Sequence, residues 1–284
     1  MNPIVYADYE QMSRAAARWL GDALRRRPDI LLCLASGATP MRAYELFAQQ
    51  HARRLPLFRR FRVIKLDEWG GLAMDDPASC ERHLQEAILQ PLRLNGGYVG
   101  FRGDAPNPEA ECARIQRWLN RNGPIDACVL GLGANGHLAF NEPARWLRPH
   151  AHVATLSPES LRHDTLARGR TRPRYGLTLG MADLSQARRI LLLVSGASKA
   201  GPLRELLRGV ITPRFPASLL WLHPDVTLLC DQEAASGLLP AQRNGRMGNG
   251  RQERKRQERE GRDLRRSLLH DRQRDRRTTA PRPT

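Results

Sequence analysis

Apolar residues recur near helical spacing over residues 9–25, at Met12, Ala16, Trp19, Leu20 and Ala23, which predicts an amphipathic helix. The pattern then changes to an unbroken apolar run, Ile30-Leu31-Leu32-Cys33-Leu34, bounded by Pro28 and by Ser36-Gly37. Such a run suits a strand buried on both faces. The alternation continues with helix 40–53 and strand 61–66, helix 79–90 and a short strand near 98–101, then helix 107–121 and strand 125–132. After a loop come strand 152–156, helix 158–167, strands 175–179 and 190–194, helix 198–208, and strands 218–222 and 226–230. Strands that alternate with helices and lack a polar face predict an α/β fold. The expected architecture is three layers, α/β/α, around a mainly parallel, Rossmann-like sheet. No internal repeat is visible.

Near Glu233 the pattern ends. The 284-residue chain has 46 basic and 29 acidic residues, a formal charge of +17, but residues 241–284 alone hold 15 basic and six acidic side chains. Residues 1–232 therefore read as the folded domain. Residues 233–284 read as a basic, disordered tail, too poor in apolar side chains to offset its chain entropy by burial. Clustered arginine is also the electrostatic footprint of a nucleic-acid-binding arm. Against that, the tail has no aromatic residue for stacking and its arginines are interleaved with acids, so nucleic acid is not the expected partner. No apolar stretch approaches 18 residues, which excludes a membrane-spanning helix and a membrane partner of that kind. The first eight residues lack the basic-then-apolar pattern of a secretory leader. Five cysteines, at 33, 80, 112, 128 and 230, form no C-x-x-C and are odd in number. Reduced, buried thiols in a cytoplasmic protein are expected.

Four segments fall just past the carboxyl ends of predicted strands, where a parallel sheet places its ligands. In Ala35-Ser36-Gly37-Ala38-Thr39-Pro40, glycine permits close approach, two hydroxyls can donate, and a helix start exposes free N–H groups. That combination suits a phosphate or, more plainly, an ordinary capped turn. The P-loop spacing and its lysine are absent. Asp67 and Glu68 close strand 61–66; neighbours on a strand face opposite ways, so only one of them can serve a given proton transfer. Asp67 alone would also serve as a turn cap.

The richest segment is Gly131-Leu132-Gly133-Ala134-Asn135-Gly136-His137-Leu138-Ala139-Phe140-Asn141-Glu142-Pro143. It contains a literal G-x-G-x-x-G, but Pro143 follows too soon for a long helix, which argues against a dinucleotide site. The alternative is a glycine-rich bend presenting His137 and Glu142 together as a proton-transfer pair. In the fourth segment Lys199 stands in the first turn of helix 198–208, where a cation is unfavourable unless an anion is bound. His150 and His152 lack a further ligand cluster, so no metal is expected.

In this order and spacing the four segments resemble the glucosamine-6-phosphate deaminase family, within the wider group of sugar-phosphate isomerases and 6-phosphogluconolactonases. The likeness spans roughly residues 10–232, and G-x-x-G-H-x-A-F-N-E-P at 133–143 carries most of it. Lactonases have a related Gly-His loop without the F-N-E-P. Trp69 after Asp67-Glu68, and Asn135, resemble the galactosamine-6-phosphate deaminase/isomerase branch. The resemblance implies that a hexosamine 6-phosphate is isomerised and deaminated to a ketohexose 6-phosphate and ammonia, with no cofactor. It makes Asp67 the base at C2 and His137 the ring opener, with Glu142 orienting that histidine and Asn135 in the same relay. It assigns Ser36, Gly37, Thr39 and Lys199 to the phosphate, and it admits a homo-oligomer.

Two departures bear on this reading. Asn135 stands where glucosamine-6-phosphate deaminases carry Asp, and an amide cannot take up a proton near neutral pH. The family's phosphate-binding arginine falls near Leu166, leaving Arg162 and Arg168 as replacements. Some relatives also bind an N-acetylated effector through hydroxyl residues and an Arg–Lys pair after F-N-E-P. Here those positions are Arg145, Trp146, His152 and Ala154, so an effector site is not expected. The competing functions are lactone hydrolysis and non-catalytic sugar-phosphate sensing. A sensor of the transcription-regulator kind would need a DNA-reading module, and only about 28 residues precede the first predicted strand.

Overall fold

The structure is a computed structural model and describes residues 1–53, 60–94 and 96–238. Most of the tail predicted at 233–284 therefore lies outside the described residues. Strand β2 (Leu31–Leu34) shows why the apolar runs are continuous. Leu31 and Cys33 pack into the core on one face of the sheet, and Leu32 and Leu34 into the core on the other. Strand β9 (Ile190–Val194) divides in the same way, Ile190, Leu192 and Val194 against Leu191 and Leu193. The remaining members of this sheet are β1 (Pro3–Tyr6), β3 (Arg62–Lys65), β5 (Tyr98–Val99), β6 (Ala127–Gly131) and β10 (Val226–Asp231). Among the described residues the seven strands are ordered β1-β10-β9-β6-β2-β3-β5 and every pair is parallel.

Helices α1 (Tyr9–Arg26) and α2 (Ala38–His51) cover one face together with α3 (Cys80–Leu84) and the π-helical turn Gln85–Leu89 that prolongs it. The other face is covered by α4 (Pro108–Asn122), α5 (Met181–Ser185) and α6 (Ala200–Leu207). Side-chain caps fix several starts: Asp8 accepts from Gln11 N at 2.7 Å, and Asn107, before Pro108, accepts from Ala110 N at 2.8 Å. The expected three-layer α/β/α order is present, and all five cysteines are buried and free. No helix among the described residues is long and apolar enough to cross a membrane.

Three local expectations are corrected and one strand is added. Residues 218–222 are not a strand but part of a 3-10 helix, Pro216–Leu222, entered through a proline. Residues 158–167 form no α-helix. Two 3-10 turns, Ser160–Arg162 and Asp164–Arg168, are separated by His163 in an extended conformation, and of their residues only Ser160 is buried, so no apolar stripe supports a longer helix. The expected strand 61–66 is present as β3, but a strand that was not expected, β4 (Asp67–Gly70), follows it directly and turns away into a second sheet. There β4 pairs antiparallel with β8 (Tyr175–Thr178), which pairs antiparallel with β7 (His152–Ala154). Finally, the fold continues past residue 232 in α7 (Gln232–Ala235), whose N-cap is Asp231.

The strand order decides where a ligand can sit. From β2 the chain proceeds to β3 on one side, and from β6 to β9 on the other, while β2 and β6 are neighbours. The connections leave in opposite directions and a crevice opens between the carboxyl ends of these two strands.

Candidate active site

A cavity of about 530 Å³ occupies that crevice. One wall is the turn after β2. Gly37 is the N-cap of α2 and no side chain caps this helix, which also has no acidic residue in its first turn. The first N–H groups of a 14-residue helix, with the positive end of its dipole, are left to whatever the cavity holds. Ser36, Gly37 and Thr39 line this wall, and Lys199 lines the cavity from the 3-10 turn before α6. That turn is pinned from below: Asp231 accepts a short hydrogen bond from the Ser195 hydroxyl and another from Gly196 N at 3.1 Å. Burial holds the Lys199 ammonium below its ordinary range. Among the described residues it has no ion-pair partner. A desolvated cation facing uncapped N–H groups is an arrangement for an anion.

Asp67 lines the cavity beside Ser36, at the first position of β4, and is only 8% exposed. Burial, then the neighbouring Glu68 carboxylate, push its pKa up to about 7, against the opposing pull of Lys65 and the Ser36 hydroxyl. A carboxylate poised near neutrality suits a proton taken from carbon and returned to carbon. Glu68 faces away from the cavity, as strand alternation requires.

The glycine-rich loop after β6 brings His137 to the cavity. Gly136 adopts φ +84°, a left-handed conformation that disfavours a side chain, and a Cβ there would meet the Phe215 ring at 2.3 Å. A Cβ on Gly133 would occupy the space of the His137 imidazole, at 2.4 Å. Gly133 thus makes room for the histidine, and Gly136 for the Phe215 ring. Asn135 and Glu142 do not line the cavity; they stand behind His137. Glu142 Oε2 is 3.5 Å from His137 Nδ1 and accepts from Asn135 Nδ2 at 2.8 Å. Asn135 Oδ1 accepts from His137 N at 3.1 Å, and Glu142 Oε1 accepts from the Ser160 hydroxyl and from Ser157 N at 3.3 Å. Burial opposes the Glu142 charge, yet His137, Ser160 and Asn135 together hold its pKa down to about 2. The carboxylate is ionised throughout the physiological range and stabilises positive charge on the imidazole.

All four expected phosphate residues, with Asp67 and His137, therefore meet in one cavity, and Asn135 and Glu142 support it from behind. Sequence reasoning missed His83, His163 and Trp69 as wall residues. Between the two candidate arginines, Arg162 lines the cavity and Arg168 does not. His163 is held below the ordinary imidazole range by burial and then by Lys199, with smaller contributions from His137 and His83, against Asp164. Trp69 packs on Phe140 with ring centroids 4.4 Å apart. Only the His163-Asp164-Thr165 cluster next to Arg162 could have flagged this wall in the sequence. Among the described residues, no group of three or more His, Cys, Asp or Glu is placed to hold a metal ion.

Fold and site together define an α/β protein in which Asp67, His137, Lys199 and the uncapped start of α2 meet at the carboxyl ends of parallel strands. The chain belongs to the family of glucosamine-6-phosphate isomerases and 6-phosphogluconolactonases, whose profile matches residues 7–229. It is 37% identical over 231 residues to glucosamine-6-phosphate deaminase 1 of Bacillus subtilis (strain 168), covering 80% of this chain and 96% of that one. It is 36% identical over 223 residues to the provisionally named deaminase AgaI of Escherichia coli (strain K12), covering 78% and 88%. The solved structure of a monomeric glucosamine-6-phosphate deaminase superposes with a TM-score of 0.79 at 36% identity, over 84% of this chain and all of that one.

Proposed function

We propose that this protein is an aminosugar-phosphate deaminase/isomerase. It converts a hexosamine 6-phosphate and water into a ketohexose 6-phosphate and ammonia. The observation that carries the reading is the pairing, in one cavity, of a buried carboxyl poised near pH 7 at Asp67 with an imidazole backed by an ionised Glu142.

The α2 N-terminus with Ser36, Gly37 and Thr39, joined by Lys199 and Arg162, holds the phosphate and so fixes the sugar's far end. His137 moves the proton from the anomeric hydroxyl to the ring oxygen, which opens the ring to the aldehyde form. Asp67 then removes the C2 proton, giving an enolamine, and returns it to C1. The resulting C2 imine takes up water and releases ammonia. Every step is proton transfer or addition of water, so no cofactor enters. Asn135 cannot relay a proton and holds Glu142 and the His137 backbone instead. Every residue given a role lies within 1–232, and the reaction is that of a cytoplasmic metabolic enzyme. Of the two epimers, the galacto sugar is favoured by Trp69 and Asn135.

The proton path is tested by running the reaction in heavy water. Return of the abstracted proton through Asp67, in exchange with solvent, places deuterium at C1 of the ketose. Product free of deuterium, together with undiminished turnover of Asp67→Asn, would remove Asp67 from this role.

A further inference from the structure

Beneath Asp67 lies a charged cluster that the reaction does not touch. Lys65, the last residue of β3, is completely buried. Its Nζ is 2.7 Å from Glu68 Oε2 and 2.7 Å from Glu81 Oε2. Glu68, equally buried, also accepts the backbone N–H groups of Trp69 at 2.9 Å, Cys80 at 2.8 Å and Glu81 at 2.8 Å. Glu81 accepts from Gln85 Nε2 at 2.8 Å and from the Tyr98 hydroxyl. Burial opposes the Lys65 charge, but its two carboxylates hold it above the ordinary lysine range. Glu81 is held below its ordinary range by Lys65, Gln85 and Tyr98, in spite of burial.

Stability alone does not account for such a cluster. Well-packed apolar residues in place of buried ion pairs are often as stable or more so. None of Lys65, Glu68, Glu81 and Tyr98 lines the cavity, so none meets the substrate. What the cluster does adjoin is the base, because Glu68 follows Asp67 directly in β4 and Lys65 sits two residues before it.

The other groups facing Asp67 carry no charge. Cys33 of β2, Tyr44 of α2 and Cys80 of α3 are raised by burial well above their ordinary values and stay neutral. Ser36 supplies a hydroxyl, and Thr178 is the β8 partner opposite. The titratable groups along the rest of the cavity wall are His83, His137, Glu159, Arg162, His163, Asp164 and the half-buried Lys199, and the charges that act on Asp67 are those of Glu68 and Lys65. The charge pressing on Asp67 through the protein interior is therefore that of Glu68, less whatever Lys65 cancels.

We propose that Lys65 and Glu81 are positioning residues for the base: by sharing one ammonium between two carboxylates, they set how much negative charge Glu68 presents to Asp67. The inference rests on Asp67 being the base. It makes a signed prediction that packing alone would not. Without the ammonium, Asp67 faces more uncancelled negative charge; without the second carboxylate, the ammonium acts on Glu68 alone and Asp67 faces less.

The test is the pH profile of kcat/KM for ammonia release from galactosamine 6-phosphate and glucosamine 6-phosphate. Lys65→Met is expected to move the acid limb, on which activity rises as Asp67 ionises, upward by about one unit. Glu81→Gln should move it downward, and Lys65→Arg should leave it near the wild-type position. Lys65→Met leaves two buried carboxylates without a cation; should it fail to fold, Glu81→Gln alone still decides. Coincident limbs in the folded variants would overturn the proposal, even if all were less active. Asp67→Asn assayed in parallel separates the two failures. An inactive Asp67→Asn with coincident limbs sinks the positioning role only, whereas an active one sinks the base assignment and this inference with it.

Discussion

Glu142 Oε2 lies 3.5 Å from Nδ1 of His137, yet only the histidine reaches the cavity. In the proposed mechanism the carboxylate acts on the substrate only through the imidazole, whose ring it orients. Glu142→Gln is therefore expected to lower kcat at least about tenfold, with a smaller effect on KM. Its pKa of about 2 also links it to stability. A depressed carboxyl contributes stability above its unfolded value, lost as pH falls through the folded one. The melting temperature of Glu142→Gln should accordingly fall below wild type at pH 7, and the gap should close between pH 4.5 and 2. Equal kcat in the two proteins would count against the pairing.

Asp67 has the opposite sign. Its folded pKa of about 7 exceeds the unfolded value of 3.8, so its burial is tolerated in full only below pH 4 and stability is lost as pH rises through 7. Asp67→Asn should cut kcat by about 10²–10⁴-fold and at the same time melt higher than wild type at pH 8.5. That advantage should vanish at pH 4. A variant less stable than wild type at pH 8.5 would mean that Asp67 is not a desolvated carboxyl.

The role proposed for Lys199 is a charge contact to the phosphate in the ground state. Lys199→Ala should raise KM about 10–100-fold and leave kcat nearly unchanged, the loss of one charge-assisted hydrogen bond. Inorganic phosphate should compete with substrate in the wild type and far more weakly in this variant. An unmoved KM would place the phosphate elsewhere.

Regulation is expected to be absent. At the positions where the family resemblance would put an effector site, Trp146 is 72% exposed under the Arg145 guanidinium, 4.7 Å from its ring. His152 Nδ1 is engaged by the His150 carbonyl at 2.8 Å, and Ala154 is buried. Without differential binding there is no coupling. Substrate curves should be hyperbolic and unmoved by N-acetylated hexosamine 6-phosphate; a sigmoidal curve straightened by that ligand would contradict this.

The parallel sheet was legible because its inner strands are buried on both faces and their sequences have no polar alternation to confuse. Strand β1 was not, since Ile4 and Val5 are about half exposed at the sheet edge and only their pairing with β10 makes them a strand. The apolar run at 218–222 fits a strand or a helix equally by pattern, and Pro216 together with its tertiary neighbours decides for a 3-10 turn. The phosphate corner and the His137 loop were legible because each is a contiguous segment at a strand end. His83 and His163 join them only through the fold, which also selects Arg162 over Arg168. The Lys65 cluster was hidden for another reason: in the sequence its charges look like exposed surface, and only burial gives them meaning.

Deaminase/isomerase activity is measured as ammonia released from galactosamine 6-phosphate and from glucosamine 6-phosphate, with 6-phosphogluconolactone hydrolysis followed beside it. Ammonia is expected in step with ketohexose 6-phosphate from at least one aminosugar, faster from the galacto epimer, with no enzyme-dependent lactone opening. Lactone hydrolysis without ammonia would contradict the proposed function.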